Sequence, residues 1–294
     1  MLLKDIKRIL HKELDAIYGK DEVDSFFFLC IEHYLNLPRF QLALQPGLTL
    51  KKQESDAFFN VLEDLKQQKP IQYIIGETEF YGLPFKVNEN VLIPRPETEE
   101  LVDLIIRYHT ERSLSTNENN TLKILDIGTG SGCIAVSLAK NLPNAEVFAL
   151  DVSKEALKVA KQNAKLNSVE ITFIEADILN ASTWNFELKD LEFDIIVSNP
   201  PYVRQLEKAE ILPNVLDNEP HIALFVEDNT PLEFYKAITD FAVDSLKQNG
   251  DLFYEINQYL GEETKVLLVD ANFENVELLK DLNKNDRMLK GTKK

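Results

Sequence analysis

Strand-like and helix-like segments alternate along the chain from Leu122 onward, and this alternation constrains the fold more than any other feature. Parallel strands need a crossover connection, so regular alternation is typical of a parallel sheet with helices on both faces. The sequence therefore predicts an α/β fold with a doubly wound sheet. In such sheets, ligands bind at the carboxyl ends of the strands, near the point where the strand order reverses.

The predicted strands cover residues 123–127, 145–150, 170–174, 193–198, 251–256, 276–282 and 287–289, which makes a seven-stranded sheet. The predicted helices start near Pro96 and then cover residues 131–140, 154–166, 232–247 and 260–270. Residues 113–120 are polar and lack periodicity, so we expect a loop there.

The first part of the chain has a helical pattern instead. Apolar residues recur at steps of three and four, which is typical of an amphipathic helix, at Leu3, Ile6, Leu10, Leu14 and Ile17. Further helices are predicted at 23–35 and 50–68. We expect three parts: a helical bundle for substrate recognition (1–70), a β-hairpin linker with a β-prone piece at Tyr73–Ile75 (71–94), and the α/β domain (95–294).

A glycine-rich segment, Gly128-Thr129-Gly130-Ser131-Gly132, lies between the first strand of the α/β domain and its helix. Glycines at this place allow a tight turn and let a ligand lie against the backbone beside a helix N-terminus. The spacing G-x-G-x-G differs from the dinucleotide fingerprint G-x-G-x-x-G, and no Walker lysine follows. A plain strand-to-helix turn is the alternative explanation for the glycines alone.

Acidic residues end three successive strands and make a cofactor site the better interpretation. Asp126 precedes the glycines, Asp151 ends the second strand, and Asp177 follows the third. An acid in the position of Asp151 accepts hydrogen bonds from ribose hydroxyls, and Asp177 can reach an adenine amino group, with Ile178 against the ring. Each acid alone could be a helix cap. Together they predict a cofactor with ribose and adenine but no pyrophosphate, which fits S-adenosylmethionine.

The run Asn199-Pro200-Pro201-Tyr202 follows the hydrophobic strand 193–198. Two prolines cannot continue a strand, so the run predicts a stiff elbow facing the strand-end crevice. The carboxamide oxygen of Asn199 and the carbonyl of Pro200 can accept both hydrogens of one –NH₂ group, and Tyr202 can lie against a planar substrate. A proline-rich turn with a buried tyrosine is the structural alternative.

This elbow predicts an amino-methyltransferase that works mainly by orientation, without a strong general base. The four histidines are scattered and show neither metal-ligand spacing nor a nucleophile–base pair, so no metal is expected.

Charge and cysteine usage limit the partners. The chain has a net charge of −17, with 10 basic against 11 acidic residues through Ile75 and 22 against 38 beyond it. An acidic surface repels phosphate backbones, so direct nucleic-acid binding is not expected. Cys30 and Cys133 are too few for a disulfide framework, and we expect reduced, structural thiols. With no signal-peptide pattern and no apolar run that spans a bilayer, we expect a cytoplasmic protein without membrane contact, acting as a monomer.

The chain resembles the peptide chain release factor N5-glutamine methyltransferases over nearly all of its length. Besides the elbow, the resemblance rests on Gln72–Gly76, Phe80–Gly82 and, most specifically, the run Val91–Glu99, which reads Val-Leu-Ile-Pro-Arg-Pro-Glu-Thr-Glu. The elbow is shared with DNA adenine and RNA guanine amino-methyltransferases, whereas the Ile-Pro-Arg-Pro-Glu-Thr run is not.

The resemblance implies methylation of the glutamine in the Gly-Gly-Gln motif of release factors. It also implies that Gly128–Gly132, Asp151 and Asn199 line the cofactor site, that Ile178 lies beside the adenine, and that Asn199–Tyr202 hold the glutamine. Arg95 lies within the signature near the active site, with its role left open. One departure stands out: residues 225–231 replace the family's Gly-Gly-x-x-Gly-Leu pattern.

Two other functions compete with this one. A nucleic-acid amino-methyltransferase would use the same elbow on adenine N6 or guanine N2, but it normally shows a basic stripe. A non-catalytic scaffold of the same fold would need a damaged site, whereas every polar group that the chemistry requires is present.

Overall fold

The computed structural model describes residues 1–116, 121–184, 188 and 191–294. Two compact units are present. The first comprises Met1–Gly76 with Leu212–Asn218, and the second comprises Glu77–Ile211 with Glu219–Lys294. Within the described residues, no helix combines the length and the apolar character that crossing a membrane requires.

The helices, in chain order, are α1 Leu3–Tyr18, α2 Lys20–Leu35, α3 Gln41–Leu44, α4 Lys52–Lys66, α5 Ile71–Ile75, α6 Pro96–Thr116, α7 Cys133–Asn141, α8 Lys154–Leu166, α9 Pro213–Leu216, α10 Glu233–Ser245 and α11 Gly261–Asp270. The strands are β1 Glu77–Phe80, β2 Leu83–Lys86, β3 Leu122–Ile127, β4 Ala145–Asp151, β5 Thr172–Glu175, β6 Phe193–Ser198, β7 Val203–Arg204, β8 Phe225–Val226, β9 Leu246–Glu255, β10 Phe273–Lys280 and β11 Asp286–Lys293.

The first unit is helical, as predicted, and its core forms where α1, α2 and α4 meet. The predicted apolar stripe of α1 is buried except at its last member, because Ile17 is 46% exposed. Tyr18 faces inward instead, and its hydroxyl donates a hydrogen bond to the carbonyl of Leu65 at 2.6 Å. The stripe prediction was therefore wrong only for the last turn of the helix.

The segment predicted as β at Tyr73–Ile75 is helical and forms α5. Gly76 ends this helix in the left-handed region, at φ 72°. Burial of Ile71 and Tyr73 accompanies the helical conformation, so packing outweighs the β propensity of these residues.

The hairpin that was expected nearby is formed by β1 and β2, with Phe80 opposite Leu83. Its two turn residues, Tyr81 and Gly82, have φ values of 51° and 70°, the paired positive angles of a tight two-residue turn. Phe80 and Phe85 are buried and pack edge to face.

The second unit contains the seven-stranded sheet, in the order β10-β11-β9-β6-β3-β4-β5. Strands β3, β4, β5, β6 and β9 are parallel, whereas β11 runs antiparallel to β9 and β10 on either side of it. The strand order reverses between β3 and β6, where Ile127 lies opposite Ser198. The loops that follow these two strands therefore start side by side, at the place where ligands bind in such sheets.

Helices cover both faces of the sheet, which confirms the doubly wound prediction. Ile238 and Phe241 of α10 pack on one face, and Leu101 of α6 and Ile134 of α7 pack on the other. Helix α6 continues to Thr116 where a loop was expected from residue 113, because no glycine or internal proline interrupts it. The rest of that expected loop, 117–120, lies outside the described residues.

Candidate functional site

The glycine segment after β3 makes a sharp turn in which all three glycines have positive φ values. Gly128 and Gly132 have φ values of 76° and 80°, where other residues are strained. The N–H groups of Gly128 and Thr129 both donate to the carbonyl of Leu150, at 2.8 and 3.0 Å. Gly132 is the N-terminal cap residue of α7. The turn is thus held against the end of β4.

Asp151 ties this turn to the next strand end. Its Oδ2 accepts the N–H of Gly130 and its Oδ1 accepts the N–H of Ser153, both at 2.8 Å. Ser153 is the residue that caps α8, so the helix-cap explanation for Asp151 does not hold. Burial raises the pKa of Asp151, and the hydrogen bonds from Ser153 and Gly130 oppose that rise.

Asp126 is fully buried beneath the turn. Its Oδ2 accepts a hydrogen bond from the hydroxyl of Thr129 at 2.6 Å. Burial raises the pKa of Asp126 to about 7, although the hydrogen bond from Thr129 opposes the rise. Asp126 therefore stabilises the turn from its buried side, through the hydrogen bond from Thr129.

Asn163 of α8 adds a third support. Its amide group donates to the carbonyls of Ser131 and Lys86 at 2.8 and 2.9 Å, and its Oδ1 accepts the N–H of Lys86 at 2.6 Å. This buried side chain therefore links the glycine turn to the β1–β2 hairpin.

A pocket of about 300 Å³ opens at these strand ends within the second unit. Eight sequence-predicted residues line it: Gly128, Gly130, Asp151, Asp177, Ile178, Asn199, Pro200 and Pro201. The lining residues that sequence analysis did not predict are mainly apolar, and they include Val91, Leu92, Val152, Ile222 and Phe234. The remaining predicted site residues, Thr129, Ser131, Gly132, Tyr202 and Arg95, are absent from the pocket lining formed by the described residues.

Asp177 and Ile178 follow β5 on the pocket wall. The Oδ1 of Asp177 accepts the N–H of Leu179 at 2.9 Å, which is a local turn rather than a helix cap. The next short helical turn is capped by Asn180 instead. Ile178 is 7% exposed and lines the pocket.

The elbow after β6 is anchored to a buried carboxylate that sequence analysis missed. The amide group of Asn199 donates to Oγ1 of Thr98 at 3.2 Å, and the hydroxyl of Thr98 donates to Oε2 of Glu255 at 2.6 Å. The hydroxyl of Tyr202 donates to Oε1 of the same carboxylate at 3.1 Å. Burial raises the pKa of Glu255, while these two hydrogen bonds and the charge of Arg287 oppose that rise.

Tyr202 is therefore turned toward β9 and away from the pocket. Its backbone carbonyl accepts a hydrogen bond from the amide group of Asn257 at 2.9 Å, and Asn257 also donates to Glu207 at 3.0 Å. Burial, together with the charge of Glu255, raises the pKa of the Tyr202 hydroxyl. The ring packs against the core on that side of the sheet.

Arg95 holds a wall of the pocket together. Its Nη2 donates to Oε1 of Glu219 at 2.6 Å, and the N–H of Ile93 donates to the other oxygen at 3.1 Å. Glu219 is only 3% exposed. The ion pair therefore joins the segment that contains Leu92 to the segment that contains Pro220, and both residues line the pocket.

The divergent residues 225–231 begin as a strand beside the elbow. Phe225 and Val226 form β8, which pairs in parallel with β7 directly after Tyr202. The carboxylate of Asp228 accepts the N–H of Leu206 at 3.0 Å. The divergent segment therefore contacts the chain directly after the elbow.

Glu255, Thr98 and Glu219 are the functional candidates that sequence analysis overlooked. A signal existed for Glu255, because it is an acid among the last two residues of the predicted strand 251–256, close to the strand end as Asp151 is in its own strand. Thr98 was visible only as part of the Val91–Glu99 run.

Comparison with known proteins identifies families and proteins to which this chain is similar. Residues 112–224 match the family model of the methyltransferase small domain, and residues 11–76 match that of the PrmC N-terminal domain. The chain is 56% identical over 290 residues to the release factor glutamine methyltransferase of Flavobacterium psychrophilum, covering 99% of both chains. It is 39% identical to the protein of the same name from Bacteroides thetaiotaomicron, covering 97% of this chain and 98% of that one.

Solved structures share the fold at low sequence identity. The Thermus thermophilus 16S rRNA N2 G1207 methyltransferase in complex with AdoMet and guanosine aligns with a TM-score of 0.51 at 20% identity, covering 74% of this chain and 50% of that one. The hMettl16 catalytic domain in complex with MAT2A 3′UTR hairpin 1 aligns with a TM-score of 0.54 at 18% identity, covering 84% and 82%.

Proposed function

This chain belongs to the release factor glutamine methyltransferase family, and from that premise we propose that its strand-end pocket binds S-adenosylmethionine beside the side chain of a substrate glutamine. The enzyme methylates a glutamine of peptide chain release factors. The acceptor atom in this proposal is the side-chain amide nitrogen, N5, of the glutamine in the Gly-Gly-Gln motif. The observation that carries the proposal is the placement of Asn199 and Pro200 on the same pocket as Gly128 and Asp151.

The residues of the pocket fit this cofactor. A Cβ added at Gly128 or Gly130 would meet no described atom within 4 Å, so the turn leaves open space where it lines the pocket. Each carboxylate oxygen of Asp151 accepts one backbone N–H. A carboxylate can accept further hydrogen bonds, so Asp151 can also bind ribose hydroxyls. Ile178 and Leu179 supply an apolar wall for a flat base. When bound, S-adenosylmethionine would supply a methyl group activated by a positively charged sulfur.

The elbow supplies orientation. An amide nitrogen is a poor nucleophile because its lone pair is delocalised. Asn199 and the Pro200 carbonyl can accept its two N–H bonds, which holds the nitrogen in one place and turns its lone pair toward the methyl carbon. One N–H proton leaves for solvent once the new N–C bond has formed. Such positioning needs no strong base, and the described residues place neither a histidine nor a lysine on the pocket.

The test is methyl transfer to an intact release factor. We expect wild-type protein and labelled S-adenosylmethionine to label one peptide, the one that contains Gly-Gly-Gln, in mass mapping. Asn199→Ala should lower kcat by about 100-fold or more, the scale of losing one well-placed polar contact. It should leave the cofactor Kd nearly unchanged. Normal turnover by this variant would show that the amide binds elsewhere.

Nucleic-acid methylation is the competing function, and two solved structures of similar fold are complexes with guanosine and with an RNA hairpin. The exposed face of α8 does carry a basic strip, which is not visible as a continuous run of charges in the sequence. It consists of Lys154, Lys158, Lys161 and Lys165. However, Lys154 and Lys158 are paired with Glu175 and Glu155, and the net charge of the chain is −17. Adenine- and guanine-containing oligonucleotides assayed in parallel should remain unlabelled.

The first unit is proposed to recognise the release factor. Phe40 and Leu44 are 64% and 69% exposed there and lie one helical turn apart, since the N–H of Leu44 donates to the carbonyl of Phe40. Replacing both with serine should raise KM for the intact factor while kcat and the cofactor Kd stay close to wild type. Leu282→Ser, at an 86% exposed leucine of the second unit, is the matched control. An equal KM for all three proteins would refute this role of the first unit.

A further inference from the structure

Two hydroxyl groups direct their protons to one buried carboxylate next to the elbow. Glu255 and Thr98 are 1% and 2% exposed. Thr98 donates to Oε2 of Glu255 at 2.6 Å, and Tyr202 donates to Oε1 at 3.1 Å. A hydroxyl has a single proton, so each of these groups acts only as an acceptor toward any other neighbour.

This arrangement determines how Thr98 can interact with Asn199. Since the proton of Thr98 is used on Glu255, its oxygen can only accept a hydrogen bond from Asn199. The amide nitrogen of Asn199 provides that hydrogen bond at 3.2 Å. The carboxamide oxygen of Asn199 must then lie on the opposite side of the group.

The orientation of a carboxamide is otherwise weakly determined. Its oxygen and nitrogen are similar in size, so a half turn about the last bond of the side chain preserves the packing and exchanges an acceptor for two donors. Asn199 lines the pocket, so this half turn would present N–H groups to the N–H groups of an incoming amide. Two donors facing each other cannot hydrogen-bond.

We propose that Glu255 and Thr98 are positioning residues that orient the carboxamide of Asn199, so that the pocket presents an acceptor to the substrate amide. This inference rests on the proposed function and adds the reason why an asparagine at this place discriminates donors from acceptors. The same strand end also holds the other end of the elbow, because Glu255 binds the Tyr202 hydroxyl and Asn257 binds the Tyr202 carbonyl. Neither Glu255 nor Thr98 lines the pocket, so both act through Asn199.

The test compares Thr98→Val with a matched substitution at Thr292. The valine is close in size to threonine and removes only the hydroxyl. Thr292 likewise donates from a buried hydroxyl to a carboxylate of β9, Asp251, at 2.7 Å, but four residues along the strand from Glu255. Thr98→Val should lower kcat for the release factor by roughly 10- to 100-fold, the consequence of a buried amide donor left without a partner. Thr292→Val should keep wild-type kcat, and Thr98→Ser should restore most of the loss.

Two further readouts separate positioning from a general structural effect. The cofactor Kd should be unchanged in Thr98→Val, and the side-chain amide protons of Asn199 should lose protection from hydrogen exchange in ¹⁵N spectra. In the Asn199→Ala background, removal of the Thr98 hydroxyl should cause no further loss of single-turnover rate, because the partner through which it acts is gone. If the valine variant unfolds, Thr98→Ala removes the same hydroxyl without overpacking.

The outcomes distinguish this inference from the proposed function. Wild-type labelling of the release factor tests the proposed function on its own. With that activity in hand, equal kcat for Thr98→Val and Thr292→Val overturns the positioning role. Losses that multiply fully in the Thr98→Val/Asn199→Ala double variant overturn it as well.

Discussion

Replacing Gly132 by alanine tests whether the glycine turn is set by backbone conformation alone or also by helix packing. At φ 80°, alanine costs about 1–2 kcal/mol as a left-handed residue. The new Cβ would also meet the Cβ and Cα of Ala160 at 3.1 and 3.3 Å. Overpacking of this kind costs about 1–3 kcal/mol, and a stiffer unfolded chain returns about 0.4–1 kcal/mol. We therefore expect Gly132→Ala to lower the free energy of unfolding by about 3 kcal/mol.

Gly128→Ala is the matched control, because it separates backbone strain from steric overlap of the new Cβ with its neighbours. Gly128 has nearly the same φ, 76°, but an added Cβ would have no described atom within 4 Å. We expect a loss of only about 1 kcal/mol, together with weaker cofactor binding, since Gly128 lines the pocket.

The assay is urea unfolding followed by the fluorescence of Trp184. It is the single tryptophan of the chain and packs against the core of the second unit, so it reports on that unit. Calorimetric titration with S-adenosylmethionine supplies the affinities. Equal losses of stability in the two variants would refute the packing contribution from Ala160.

Three further predictions concern single side chains of the same site. Asp151→Ala should raise the cofactor Kd by about tenfold or more, through loss of a charged acceptor; an unchanged value by calorimetry would contradict the ribose assignment. Asn163→Ala should lower the free energy of unfolding by about 2–4 kcal/mol, because the N–H and carbonyl of Lys86 and the carbonyl of Ser131 lose a buried partner; a wild-type urea midpoint would refute the link between turn and hairpin. For Asp126, a folded pKa of about 7 lies above the ordinary 3.8, so the folded state holds its proton more tightly and stability declines as pH rises from about 4 to 7. Relative to Asp126→Asn, wild type should therefore lose up to about 4 kcal/mol between pH 4 and 8, and an equal difference at both pH values would contradict this.

The sequence predicts those elements whose pattern is local and unambiguous. Helix α8 and strand β6 have the predicted bounds, because one has an uninterrupted amphipathic pattern and the other is a mainly apolar run that ends two residues before Pro200. The strand-end rule then predicts that Asp151 and Asn199 lie at the same edge of the sheet, and both line the pocket. By contrast, α5 was missed because β-branched residues there follow packing instead of propensity.

Pairings between distant residues could not be predicted in this way. A pattern of apolar residues shows which face of an element is buried, but it does not show which polar group meets which. Thr98 and Glu255 are separated by 157 positions in the chain, and Ile93 and Glu219 by 126. These contacts arise where a helix start and a loop converge on strand ends, which depends on the completed sheet. For the same reason the ring of Tyr202 was expected at the pocket, whereas the structure turns it toward β9.

The position of β11 has a consequence for synthesis of the chain. It leaves the ribosome after β10, yet it lies between β9 and β10 in the sheet. Until it is made, β9 has an unpaired edge beside Glu255 and Asn257, the residues that hold the elbow. A nascent chain can therefore form α10 and α11 first, but it cannot join β10 to the rest of the sheet before β11 is inserted.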